Sequence, residues 1–234
     1  MKILSTILLL TLLFAALTYS AHAMPFAPFE ACKTAGTDLY VKKFKETKKN
    51  KVNFIKGDTG CEIEIVSDDS GSMLVRRLGF DANATPYINF DFKVTNIIEG
   101  ADLKEKDGDD APARVYVFFE YDPDKAGFLE KAYRSYSGNK SDGKCIVYIW
   151  GNAEKKGDVF ENPYSDQFMQ VIVESGTENV NSYVTIKRNI YKDFKEFFKE
   201  EPPNNVSSIA IMTDTDNTHK KATGYFKSIY LSSE

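Results

Sequence analysis

The run IAIMTDTDNT, residues 209–218, is an apolar, strand-like stretch that breaks into Asp214, Asp216 and Asn217. A second acidic group, DGDD at 107–110, supplies Asp109 and Asp110. Hard oxygens at this density are the donors that Ca²⁺ prefers, although neither run has the glycine spacing or closing Glu of an EF-hand loop. Asp and Asn also favour turns, because their side chains bond to nearby backbone. Three readings therefore stand for this set: a turn that ends a strand, a structural calcium site, or a direct grip on a substrate.

Other chemistry is narrower. With the leader segment set aside, His219 is the remaining imidazole, so Ser-His-Asp or Cys-His catalysis has to run through that residue. Glycoside hydrolysis needs two carboxyl groups facing each other across a groove. Glu120, Asp122, Glu174, Asp214 and Asp216 qualify by residue type, but spacing along a chain does not give separation across a sheet. Ser67, Ser70 and Ser72 sit in turn-like sequence with no base nearby, and no nucleophile motif is present.

Binding chemistry is better represented. In ARVYVFFEY (113–121), alternation puts Val115, Val117 and Phe119 on one face and Arg114, Tyr116 and Phe118 on the other. A guanidinium in an apolar strand needs an acidic partner or an anionic ligand. Asp91, Asp109, Asp110 and Asp214 are the candidate partners. In YIWGN (148–152), Tyr148 and Trp150 share a face opposite Val147 and Ile149. If that face is the concave one of a sandwich, then Tyr116, Tyr148 and Trp150 form an aromatic floor. Flat rings suit the C–H edges of sugars, by the same electrostatics that draws cations to them. The alternative is that these rings simply fill a sheet.

The elements that position these residues are mostly strands. CEIEIVS, YINFDFKVTN, CIVYIWG, QFMQVIVESG, NSYVTIKR, SSIAIMTD and TGYFKSIYLS join the strand above, with Gly/Asp/Asn-rich turns between them. This pattern predicts an all-β fold, a β-sandwich or jelly roll. One short helix is predicted near 189–199, with Asn189 as N-cap, Ile190, Phe194, Phe197 and Phe198 on one stripe, and Pro202-Pro203 beyond its end.

At the N-terminus, Lys2, an apolar core from Ile7 to Leu17 and the sequence Ala21-His22-Ala23 predict a cleavable signal peptide over 1–23. The apolar run is shorter than the ~20 residues that span a bilayer. The expected product is a single exported domain, 24–234, periplasmic or secreted, with no membrane insertion after cleavage. Removing Lys2 from the 30 basic residues leaves 29 against 34 acids, a balance that argues against a nucleic-acid partner. The basic run KKFKETKKNK at 42–51 reads as a solvated strand edge or loop. Cys32, Cys61 and Cys145 predict one disulfide and one free thiol in an oxidising compartment, with the pairing open.

The stretches KDGDDAPARVYVFFEYD, YIWGN, NPYSDQFMQVIVESG, RNIYKDF and IAIMTDTDNT…ATGYFKSIYL occur in an order that resembles the bacterial family catalogued as domain of unknown function 3047. The resemblance runs from about Phe44 to Leu231. It implies an exported, jelly-roll-like protein similar to carbohydrate-binding modules, with no reaction attached. The family's recurring positions correspond here to Asp109, Asp110, Arg114, Tyr116, Trp150, Asn162, Pro163, Tyr164, Arg188, Asn189, Asp214, Asp216, Asn217 and Thr218. This chain departs from the pattern in three places. Phe90 or Phe92 and Tyr183 stand where the family has tryptophans, and His219-Lys220 stands in place of Gly-Glu.

Together these observations favour a non-catalytic binding module for a glycan or similar polar ligand. Arg114, Tyr116, Tyr148, Trp150, Asn162, Tyr164, Arg188 and Asn189 are the candidate contacts. Asp109, Asp110, Asp214, Asp216 and Asn217 are candidate ligands of a structural calcium. The alternatives are a structural or interaction protein without a small-ligand site and, behind it, a saccharide hydrolase.

Overall fold

The computed structural model describes residues 39–56, 61–124, 142–203 and 205–234. The expected leader over 1–23 and Cys32 lie outside the described residues.

The strands are β1 (Leu39–Lys43), β2 (Lys51–Lys56), β3 (Cys61–Asp68), β4 (Ser72–Asp81), β5 (Tyr87–Val94), β6 (Ala113–Glu120), β7 (Asp142–Gly151), β8 (Val159–Asn162), β9 (Ser165–Ser175), β10 (Val184–Asn189), β11 (Asn205–Met212) and β12 (Lys221–Ser232). They form a β-sandwich. One sheet has seven strands in the order β1-β4-β11-β6-β7-β9-β8, and the other has five in the order β10-β5-β12-β3-β2. Neighbours pair antiparallel except β7 and β9, which run parallel. The last two strands take interior places. β11 lies between β4 and β6, and β12 lies between β5 and β3.

Alternation within each strand selects the inner faces. Ile88, Phe90, Phe92 and Val94 of β5 meet Val115, Val117, Phe119, Tyr148 and Trp150 of β6 and β7 between the sheets. Phe92 and Trp150 meet edge to face at 5.2 Å, the geometry that ring quadrupoles favour. Burying one such side chain stabilises the fold by about 1.5–3 kcal/mol. The large sheet is apolar on its outer face too. Met73, Val75, Tyr116, Phe118, Val147, Ile149 and Met212 form a second cluster there, covered in part by Leu103 and Ala111 of the 95–112 connection.

The helix α1 (Ile190–Phe198) forms as its sequence predicts. Asn189 caps it by accepting a hydrogen bond from Lys192 N–H, and Ile190 and Phe194 are buried. It stops before the prolines, at Lys199, whose left-handed backbone closes the last turn onto the Lys195 carbonyl. Among the described residues no helix is long and apolar enough to cross a membrane. Cys61 is disulfide-bonded, and Cys145 is buried.

β4 is a strand that the sequence pattern hides. Arg76 and Arg77 interrupt its apolar run, yet the strand pairs on both sides, with β1 and β11.

Candidate functional site

The register between β6 and β7 decides which side chains can act together. Val115 faces Tyr148, and Tyr116 faces Val147. Cross-strand partners share a face, so Tyr148 and Trp150 belong with Val115, and Arg114 and Tyr116 lie on the opposite side. The expected aromatic floor of Tyr116, Tyr148 and Trp150 is therefore corrected. Tyr148 and Trp150 are sealed between the sheets at 0 % exposure. The indole N–H of Trp150 donates to the Gly176 carbonyl at 3.1 Å.

Arg188 and Asn189 stand apart from that floor, at the start of α1. Arg188 holds Asp193 of α1 through two hydrogen bonds, of 2.9 and 2.7 Å. The Tyr148 hydroxyl donates to the same carboxylate at 2.7 Å. Asn189 is the helix cap. These three residues dock α1 onto the sandwich, where a ligand has no access to Tyr148. Burial pushes the Tyr148 phenol well up, and the neighbouring Asp193 adds to this.

The remaining expected residues converge on the outer face of the large sheet. A pocket of about 410 Å³ is lined there by Arg114 and Tyr116 of β6, Asn162, Tyr164 and Ser165 at the β8–β9 turn, and Asp109, Asp214, Asp216 and Asn217 on two loops. Phe44, Met73, Phe168 and Met212 complete it. The sequence pattern singles out neither these four nor Ser165. Met212 could be placed only through pairing, since it stands opposite Arg114 in the β11–β6 register.

Arg114 is the hub of this face and is nearly fully buried. Its terminal nitrogen donates to the Asp109 carbonyl at 2.7 Å and to Asp109 Oδ1 at 2.8 Å, and Nε lies 3.2 Å from Asp214 Oδ1. The other terminal nitrogen reaches Gln170 Oε1 at 3.4 Å. Burial opposes its charge, but Asp109 and Asp214 outweigh that and hold the group firmly protonated. As an anion-binding contact Arg114 is therefore corrected. It is a structural ion pair with Asp109 and Asp214, although its buried Nε makes no hydrogen bond among the described residues.

Around this hub, the 107–112 and 213–219 segments lock together. Ala111 N–H donates to Asp214 Oδ1, and Asp214 N–H donates to the Ala111 carbonyl. Asp110 accepts from Asn217 N–H at 3.2 Å and from Thr218 through both N–H and hydroxyl, at 2.7 and 2.6 Å. Asn162 donates to Asp109 Oδ2, and its own oxygen accepts from Tyr164 N–H. Tyr164 is 56 % exposed at the rim, and its hydroxyl donates to the Lys106 carbonyl at 2.7 Å. Asn217 Nδ2 donates to that same carbonyl and to the Tyr164 hydroxyl. The TDTDNT run is thus a clamped connection, with Asp216 turned onto the pocket.

Of the five expected metal ligands, three converge. Asp110, Asp214 and Asp216 each bring an oxygen within 4.8 Å of the others. Asp109 is spent on Arg114 and Asn162, and Asn217 on the rim. Ca²⁺ takes about 6–8 oxygens, so three carboxylates are a partial set. Burial pushes the Asp214 carboxyl up against the pull of Arg114, with Asp110 and Asp109 adding to the rise. Asp216 is raised by its partial burial and by Asp110. Burial also raises the Tyr116 phenol, whose hydroxyl contacts Met212 Sδ at 3.6 Å.

No curated protein matches the chain. Among solved structures, it is similar to the family 11 carbohydrate-binding module of a cellulosomal cellulase of Clostridium thermocellum, at 16 % identity over 90 % of this chain and 94 % of that one, with a TM-score of 0.45. A family 29 carbohydrate-binding module complexed with mannohexaose is similar at 9 % identity, covering 90 % and 92 %, with a TM-score of 0.38. A family 12 xyloglucanase from Bacillus licheniformis is similar at 8 % identity, covering 83 % and 98 %, with a TM-score of 0.41. The profile of the family described as protein of unknown function (DUF3047) matches residues 38–230, nearly all of the chain beyond the expected leader, and the chain belongs to that family.

Proposed function

We propose that the chain is an exported, non-catalytic binding module that holds a saccharide or similarly polar ligand in the pocket on the outer face of the seven-stranded sheet. The observation that carries this reading is the convergence, in about 410 Å³, of aromatic groups with fixed polar ones. Tyr116, Tyr164, Phe168 and Phe44 supply apolar surface for the C–H edges of a ring. Asn162, Asp216, Asn217 and Ser165 supply polar groups at its margin. Binding pockets commonly have this size and makeup.

The scaffold supports the reading by what it leaves fixed. Arg114 is tied to Asp109, and Asp110 to Asn217 and Thr218, so the walls are set before a ligand arrives, which lowers the cost of binding. Two carboxyls free to act as acid and base are what hydrolysis would need. Asp109, Asp110 and Asp214 are each held by strong donors, which favours binding over catalysis.

A glycan array probed with the wild-type chain, Tyr164→Ala and Phe168→Ala tests the reading. Wild type should bind at least one saccharide class. Tyr164→Ala should lose most of that signal while melting close to wild type, because this ring is at the surface. No signal from wild type, or a signal that both variants retain, would remove the pocket as a saccharide site.

A further inference from the structure

The pocket carries three carboxylates, Asp109, Asp214 and Asp216, against one guanidinium, Arg114. Arg114 meets the first two. Asp216 is half-buried, and among the described residues it takes part in no ion pair. Its position also depends on the absence of a side chain at Gly71, where a Cβ would stand 2.4 Å from Asp216 Oδ1.

A partly desolvated carboxylate without a counter-charge is unfavourable, and a cation brought by a ligand relieves it. The surroundings suit a cation carried on a carbon frame. Phe44, Tyr116, Tyr164 and Phe168 line the same space, and aromatic faces attract ammonium groups. Tyr164 and Asp216 line the same pocket. Resting on the saccharide reading above, we infer that the pocket selects an amine-bearing sugar, with its ammonium group on Asp216 and its ring against the aromatic wall. An acid sugar would add a like charge to this face. An N-acetylated sugar brings no charge to Asp216.

A bare divalent ion is the competing occupant. Asp110, Asp214 and Asp216 are near enough to share one. However, Asp214 Oδ1 already lies 3.2 Å from Arg114 Nε, and both Asp110 oxygens accept hydrogen bonds from the 217–218 backbone.

Calorimetric titration with a β-1,4-linked glucosamine tetrasaccharide and with its N-acetylated counterpart, both in EDTA, separates these cases. Wild type should bind the amine form at least about tenfold more tightly, the scale of one partly desolvated charge contact. Asp216→Asn should bring the two sugars within about threefold of each other, since the charge-assisted contact is gone. Gly71→Ala, which displaces the same carboxylate and keeps its charge, should narrow the preference as well, with thermal melts confirming that each variant folds. Equal affinities in wild type, or a preference that survives Asp216→Asn, overturn the inference and leave the saccharide reading standing. Binding of neither sugar also overturns the inference, and the glycan array then decides the saccharide reading by itself. Calcium chloride that raises the melting temperature of wild type, but not of Asp216→Asn, would assign the carboxylate to a metal and overturn the inference.

Discussion

Beneath α1, Arg188 grips Asp193 with two nitrogens and Tyr148 donates to the same carboxylate. On the outer face of the large sheet, Arg114 grips Asp109 and touches Asp214, with Asp110 and Asp216 close by. The first centre is balanced, with one cation, one anion and one phenol. The second holds more negative charge than its single arginine neutralises. Both lock loops or helices in place, so an arginine–aspartate pair alone does not distinguish a fastener from a site. The residual charge does.

Substitutions can break or sharpen that contrast. Arg114→Met should have the largest effect, because it strands Asp109 and Asp214, both nearly buried. A loss of about 3–5 kcal/mol is expected in urea unfolding. Arg188→Met should cost less, about 1–2 kcal/mol, since the Arg188 side chain is 37 % exposed and Asp193 keeps the Tyr148 hydroxyl. Equal losses at the two arginines would erase the distinction drawn here. Asn189→Ala removes the cap of α1 and should lower stability by about 1 kcal/mol, without touching ligand affinity.

The smallest effect is a pH dependence. Partial burial raises the Asp216 carboxyl, so the folded chain holds that proton more tightly than the unfolded chain does. Its contribution to stability is therefore full below the unfolded carboxylate range and is lost as pH rises through the elevated folded value. Asp216→Asn should flatten this part of the stability profile and leave neutral-pH stability equal to or slightly above wild type, by at most about 1 kcal/mol. Melts from mildly acidic to neutral pH measure it.

The periods within strands were legible in the sequence, while the phase between strands was not. Val115 and Val117 are inside and Arg114 and Tyr116 outside, as alternation requires. Tyr148 and Trp150 also share a face, as alternation requires, but which face depends on one residue of register between β6 and β7. That single offset separates an aromatic floor from a sandwich core. The helix could be read to its cap because Asn189 and the Ile190, Phe194 stripe act locally. The clamp of Asp110 on Thr218 could not, because 108 positions separate the two residues and only the folded sheet brings them together. Composition suggested the acidic loops, and spatial pairing then divided them into two spent aspartates, one shared one and one open one.

The order of the strands has a consequence for how the chain is made. Of the described strands, β11 and β12 come latest in chain order, and each fills an interior slot, one in each sheet. Until they emerge from the ribosome, β4 and β6 have no bridge between them, and neither do β3 and β5. Four sheet edges therefore stay unpaired through most of translation, open to mispairing with a neighbouring chain. A released chain cut after Met212 would carry every described strand of the large sheet and leave the small one in two pieces.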